Sequence, residues 1–186
     1  MITDLFRGQL VRLTAEDPEL MGKAFSRWYR DTEYHRLLDT SPSQLWSAKK
    51  FKEWIEKDYE KDQPNFFPFQ IHTLSDDQLI GFLGLFLPTW SHGDCWVGIG
   101  LGEREYWGKG YGTDAMRLAL RYAFAELNLH RVTLGVFEYN PRAIRSYEKA
   151  GFRLEGRERQ VLHRDGQRCD ILIMGILHED WDRMQA

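Results

Sequence analysis

The sequence predicts an α+β domain built on one mostly antiparallel sheet of about seven strands, with four helices. Three observations predict it. β-rich runs cluster between Phe67 and Leu101 and again after Phe152; two amphipathic helical stretches precede the first cluster; and one strong helical stretch, Thr113 to Leu127, joins the strand ending near Leu101 to the run Arg131 to Glu138. That step is the single strand-helix-strand crossover, so the repeated units of a doubly wound parallel sheet are missing.

In chain order, Gly8 to Leu13 alternates as a short strand. Pro18 to Arg30 places Leu20, Met21, Ala24, Phe25 and Trp28 at helical spacing, with Asp17 as N-cap and Pro18 at the first helical position. Asp31 to Ser47, with Pro42 and several Ser, Thr and Asp residues, reads as a loop. Ser47 opens a second helix whose apolar stripe is Phe51, Trp54, Ile55 and Tyr59. After Pro64, Phe67 to Leu74 and Leu79 to Pro88 form a hairpin around Ser75-Asp76-Asp77-Gln78, and a further strand runs from Cys95 to Leu101. In the helix from Thr113, Ala115, Met116, Ala119, Leu120, Ala123 and Leu127 share a face. Pro141 and Gly151 frame a fourth helix, and two last strands, Phe152 to His163 and Arg168 to Leu177, flank the Asp165-Gly166 turn.

A chain of 186 residues with 42% hydrophobic and 28% charged residues lies in the globular class and is expected to form one domain, 1–186. A net charge of −3 with scattered basic residues disfavours nucleic acid as a partner. The N-terminal segment carries Asp4, Arg7 and Arg12 among its apolar residues and no run approaches bilayer-spanning length, so a cytoplasmic protein without a membrane partner is expected. Cys95 and Cys169 are far apart without metal-ligand spacing, and the six histidines show no paired motif; no metal site is expected.

The chemically informative stretch is Gly98-Ile99-Gly100-Leu101-Gly102, an acidic insert, then Trp107-Gly108-Lys109-Gly110-Tyr111-Gly112-Thr113. Alternating glycines at a helix N-terminus let backbone N–H groups converge on an anion, which makes a phosphate cradle. A Walker A loop does not fit, because Gly110 follows Lys109 where Ser or Thr is required. A dinucleotide fingerprint is formally met by Gly110-Tyr111-Gly112-Thr113-Asp114-Ala115 with Glu138 closing the next strand, yet an acidic segment separates the loop from its strand. Coenzyme A is the third ligand that such a cradle accepts.

The loop Trp107-Gly108-Lys109-Gly110-Tyr111-Gly112, followed by Asn140-Pro141-Arg142-Ala143, Tyr147 and Ala150-Gly151-Phe152, resembles the GNAT acetyltransferase superfamily, in its ribosomal-protein N-acetyltransferase-like branch. Trp107 stands where that family usually has Gln or Arg. The resemblance implies a splayed strand pair at an acetyl-CoA cleft, with Ile99, Gly100, Leu101, Trp107, Gly108, Lys109, Gly110, Tyr111, Gly112, Thr113, Asn140 and Ala143 at the cofactor. It also implies Tyr147 at the departing sulfur and direct attack by a primary amine, either a protein N-terminus or a small molecule. A homodimer is the candidate assembly.

From the residues alone, Asn140 also suits the N-cap of the helix at Pro141, and Tyr147 also suits the core. Gly98, Gly100 and Gly102 suit a backbone approached closely by ligand. The strand glutamate of related enzymes is replaced near Trp96, so no general base is assigned; Asp94, Glu103 and Glu138 are the nearby carboxylates, and a water chain is the alternative. The missing glutamate keeps a catalytically silent coenzyme A-binding protein in view. The amine site is expected between the first two helices and the C-terminal hairpin, where Trp28, Tyr29, Tyr34 and Trp46 accompany Asp31, Glu33 and Asp39. The branch also resembles spermidine acetyltransferases.

Overall fold

The computed structural model describes residues 4–59 and 65–185. Its strands are β1 (Val11–Thr14), β2 (Phe66–Thr73), β3 (Leu79–Thr89), β4 (Asp94–Leu101), β5 (Arg131–Phe137), β6 (Arg153–Arg164) and β7 (Gln167–Leu177). They form one seven-stranded sheet in the order β1-β2-β3-β4-β5-β7-β6. Every neighbouring pair is antiparallel except β4 and β5. That pair is in register only from Asp94↔Arg131 to Trp96↔Thr133. Beyond Trp96 the strands diverge, so backbone groups of β4 and β5 that a closed ladder would consume border a wedge between them.

The helices are α1 (Pro18–Trp28), α2 (Thr32–Leu38), α3 (Ala48–Tyr59), α4 (Tyr111–Arg121), α5 (Pro141–Ala150) and α6 (His178–Gln185). Caps act where the residues placed them: Asp17 accepts from the N–H groups of Glu19 and Leu20, Asn140 accepts from that of Ala143, and Gly151 ends α5 at φ +106°. The Asp165-Gly166 hairpin has positive φ at both residues, +49° and +77°, as a two-residue turn of this hand demands.

Two helices lie where no helix is expected. α2 falls in the segment read as loop: its seven residues are too few to display periodicity, but Asp31 caps it by accepting from Glu33 and Tyr34 N–H, and Tyr34 and His35 are buried. α6 is polar almost throughout and is held by Trp181 and His178 packing on Phe124. The helix expected over Thr113 to Leu127 begins two residues earlier, and its last turn, Tyr122–Glu126, widens to a π-helix. The side chain of Tyr59, placed in the second helical stripe, lies outside the described residues.

The sheet separates two cores. On one face α4 and α5 cover Ile71, Leu83, Leu85, Val132, Leu134 and Met174; on the other, Met21, Phe25, Trp28, Tyr34, Phe51 and Ile55 tie α1, α2 and α3 together over Phe82. Buried Asp114 anchors the first turn of α4 to β1. Its carboxylate accepts from the N–H groups of Gln9, Leu10 and Val11, at 3.2, 2.7 and 3.0 Å.

Candidate functional site

Two cavities open at the β4/β5 wedge, of about 460 and 330 Å³. Both are lined by Leu37, Leu38, Ile99, Asn140 and Tyr147, so they meet at those residues.

The larger cavity runs along the N-terminus of α4. Ile99, Gly100 and Leu101 of β4 line it, with Trp107, Gly108, Gly110, Gly112, Thr113, Asn140, Ala143 and Tyr147. Gly108 (φ +72°) and Gly110 (φ +93°) hold left-handed backbone, and Gly110 caps α4, whose first-turn N–H groups have no partner within the helix. Gly112 differs: it sits inside the first turn, where a Cβ would meet only ordinary contacts at 3.5 Å from Leu101 and 3.7 Å from Ser146. Lys109 is exposed and absent from the lining. The ring of Tyr111 turns away onto Tyr106, 4.9 Å between centroids, leaving only its backbone near the cradle.

Several predicted residues hold the protein's own backbone. The Trp107 indole N–H donates to the Leu101 carbonyl at 2.7 Å, and the Arg142 guanidinium lies 3.8 Å from the ring centroid. Asn140 uses its oxygen for the α5 cap and its nitrogen for the Leu37 carbonyl at 3.4 Å. The Ala143 N–H is therefore also engaged.

A basic rim of Arg117, Arg142, Arg145 and Lys149 lines the same cavity. No run of adjacent basic residues marks this rim in the sequence. The signal was there: Arg142, Arg145 and Lys149 recur at helical spacing on one face of α5. Guanidinium groups beside a helix N-terminus suit a diphosphate and a ribose phosphate, so the cavity fits coenzyme A by charge as well as by backbone.

Tyr34 also lines this cavity. Its hydroxyl is buried, lies 2.9 Å from where a Cβ on Gly100 would sit, and finds no hydrogen-bond partner among the described residues. Burial holds its phenol well above the ordinary tyrosine range. An unsatisfied buried hydroxyl costs about 1–3 kcal/mol. Tyr34→Phe is therefore expected to raise the unfolding free energy of the ligand-free protein by roughly that amount, read by denaturant unfolding; a less stable variant would show that the hydroxyl is satisfied.

Gly98 and Gly100 of β4, and Gly102 just past its end, answer to packing. A Cβ on Gly102 would overlap the Trp28 indole, one on Gly100 would stand 2.6 Å from Phe82, and one on Gly98 would stand 3.0 Å from Phe86. Aromatic rings occupy the space above all three, which gives each a packing reason to be glycine, while Gly98 lines the smaller cavity and Gly100 the larger. β4 pairs with β3 from Trp96 to Leu101 without a bulge.

The smaller cavity faces α1, α2 and α3. Phe25, Tyr29, Trp54, Phe66, Phe82 and Phe86 are among its walls, and Glu16 and Asp39 are its carboxylates. Burial, and then the Asp39 charge, push the Tyr29 phenol up to about 12. Of the residues expected around the amine, Tyr29 and Asp39 line this cavity. Trp28 and Trp46 belong to the core beneath α1 to α3, and Asp31 and Glu33 pair with Arg104. The carboxylates considered as bases are placed elsewhere. Glu103 accepts from Trp28 and Arg27, Glu138 accepts from the Asp170 N–H and pairs with Arg157, and Asp94 sits at the far, closed end of the β4/β5 pair. The position of Glu138 also removes the dinucleotide reading, which needed it at a ribose.

Tyr147 stands between the two cavities, and burial pushes its phenol up to about 12. Cys95, buried beside Asp94, is likewise pushed up to about 12, which leaves it an unreactive thiol.

A left-handed glycine cradle with a basic rim, opening through a strand splay onto a second cavity, fits an enzyme joining a phosphate-bearing cosubstrate to a separate acceptor. The comparisons agree. The family model described as "Acetyltransferase (GNAT) domain" matches residues 7–153. The "Probable N-acetyltransferase YjcK" of Bacillus subtilis (strain 168) is 38% identical over 131 residues, covering 70% of this chain and 68% of the relative. The "Putative ribosomal N-acetyltransferase YdaF" of the same organism is 28% identical over 136 residues, covering 73% and 74%. In fold, the chain is similar to the spermidine N-acetyltransferase of Vibrio cholerae solved in complex with CoA and spermine, with a TM-score of 0.71 and 23% identity over 92% of this chain and 97% of that one. With the family shown in this way, the chain belongs to the GNAT acetyltransferases and is an acetyl-CoA-dependent N-acetyltransferase.

Proposed function

We propose that the larger cavity takes acetyl-CoA, that the smaller one takes a primary amine, and that the acetyl group passes between them by direct attack where they meet. The observation that carries this reading is that both cavities are lined by Ile99, Asn140 and Tyr147 at the open end of the β4/β5 wedge. The cradle at Gly108 and Gly110 and the rim from Arg117 to Lys149 would hold the phosphates, and the thioester would lie along Ile99 to Leu101. A thioester is already activated, so positioning and proton management suffice and no covalent nucleophile is needed. Tyr147 is the hydrogen-bond donor placed for the departing sulfur. Glu16 and Asp39 are the carboxylates on the amine's side, where its proton must leave. The branch assignment, with a protein N-terminus or a small amine as acceptor, belongs to the same proposal, as does a single-domain enzyme in the cytoplasm. Two free thiols support that location, and no helix among the described residues is long and apolar enough to cross a membrane.

Acetyl-CoA is expected to raise the melting temperature while NAD and ATP do not, because only a coenzyme A thioester matches both the cradle and the β4 edge. Incubation with acetyl-CoA and a pooled amine library is expected to release free thiol only when amine is present. Stabilisation by NAD equal to that by acetyl-CoA, or thiol release independent of amine, would overturn the assignment of the two cavities.

A further inference from the structure

Resting on the assignment of the smaller cavity to the acceptor, we infer that the preferred acceptor is a small primary monoamine carried on an aromatic or branched apolar body. The walls carry the argument. Phe66 and Phe86 stack with centroids 5.0 Å apart and an interplanar angle of 15°. They lie over the bare backbone of Gly84 and Gly98, where a Cβ would come within 2.8 Å of Phe66 and 3.0 Å of Phe86. The chain thus gives up two side chains on adjacent strands to seat this pair. Phe25 packs edge-on against Phe82 and Tyr29, at 5.2 and 5.6 Å. Trp54 closes the series at the surface, 45% exposed and 6.4 Å from the Phe25 ring.

The charges point the same way. Among the described lining residues, Glu16 and Asp39 are the groups of opposite sign to an ammonium, and none is Lys, Arg or His. One ammonium is served by the Asp39 carboxylate and by ring faces. A polyamine carries three or more cations along a thin polar chain, and the walls built by Phe25, Trp54, Phe66, Phe82 and Phe86 would offer those cations ring faces and edges rather than carboxylates. A cavity of about 330 Å³ suits one ring and a short amine arm. The same walls explain how a chain with the fold of a spermidine acetyltransferase can take a different amine, since fold alone does not set the acceptor.

The test uses the purified full chain with acetyl-CoA and, as separate acceptors, 2-phenylethylamine, spermidine and a short peptide with a free N-terminus. The expected kcat/KM for 2-phenylethylamine is at least ~10-fold above that for either of the others, as burial of one ring in place of a charged chain implies. Trp54→Ala, at an exposed position, is expected to lower that value roughly 10-fold without changing the KM for acetyl-CoA. In parallel, calorimetric titration of 2-phenylethylamine into the protein saturated with CoA reads binding independently of turnover, and saturable binding at the cavity, lost in Trp54→Ala, is expected. Turnover that favours spermidine or the peptide would leave the acetyltransferase standing and overturn this inference. Absence of turnover with every amine, together with no binding of 2-phenylethylamine, would overturn both.

Discussion

Gly110→Val is expected to lower acetyl-CoA affinity by about 10²-fold or more while the protein remains folded. Gly110 caps α4 at φ +93°, in the left-handed region that a β-branched residue resists. The space beside it is adequate, since a Cβ would lie 3.4 Å from a Leu10 methyl group. The fold therefore bears backbone strain of roughly 1–3 kcal/mol rather than a clash in the core. With the phosphates at the cradle as proposed, the binding loss is larger because the isopropyl group would crowd the first-turn N–H groups of α4. Losing two charge-assisted hydrogen bonds at roughly 1.5 kcal/mol each is already about 3 kcal/mol, or more than 10²-fold. Titration with acetyl-CoA and denaturant unfolding separate the two effects. Normal affinity in a folded variant would place the phosphates elsewhere, and outright unfolding would make the glycine a purely structural requirement.

Tyr147→Phe is expected to lower kcat by about 10- to 150-fold with little change in stability or acetyl-CoA affinity. The ring stays against Phe152, so only the hydroxyl of this residue, which lines both cavities, is lost. With the phenol held up to about 12, complete proton transfer to an alkyl thiolate of pKa roughly 8.5 is uphill by roughly 3.5 units, or about 5 kcal/mol. A hydrogen bond to the developing negative charge needs no such transfer and contributes roughly 1.5–3 kcal/mol, which gives the quoted range. The raised phenol also fixes the sign of the pH dependence. Tyr147 keeps its proton well past pH 10, so its hydroxyl remains a donor there and adds no falling limb to kcat below that pH. The check is kcat against pH for both proteins under conditions where chemistry limits the rate. An unchanged kcat would return Tyr147 to the core.

Much of this was legible before the structure because it is local. Asp17-Pro18, Asn140-Pro141 with Gly151, and Asp165-Gly166 state their cap or turn within a few residues, and Val132, Leu134 and Val136, at every second position, record the buried face of β5. The single crossover into α4 placed the glycine cradle at a helix N-terminus, and the order of the loop and the Asn140 to Phe152 block marked the family. α2 was not legible, since a seven-residue helix is sustained by Asp31 and by the burial of Tyr34 and His35 rather than by any period of its own. The same holds for α6, whose polar sequence is fastened by contacts to Phe124.

What the sequence by itself determined is the order of the seven strands and of the four longer helices, the cradle and its chemistry, because each depends on residues adjacent in the chain. Tertiary structure alone decided which side chains share a wall. Trp107 reaches back to the Leu101 carbonyl, Glu103 and Glu138 are drawn to cationic partners away from the cleft, and Gly102, Gly100 and Gly98 yield to Trp28, Phe82 and Phe86. Glu16, Asp39 and the aromatic walls from α1, α3, β2 and β3 are brought to one cavity by the sheet order and by the divergence of β4 from β5 after Trp96. Those contacts join residues tens of positions apart, and the free energy that selects them is packing across the sheet, which no local pattern encodes.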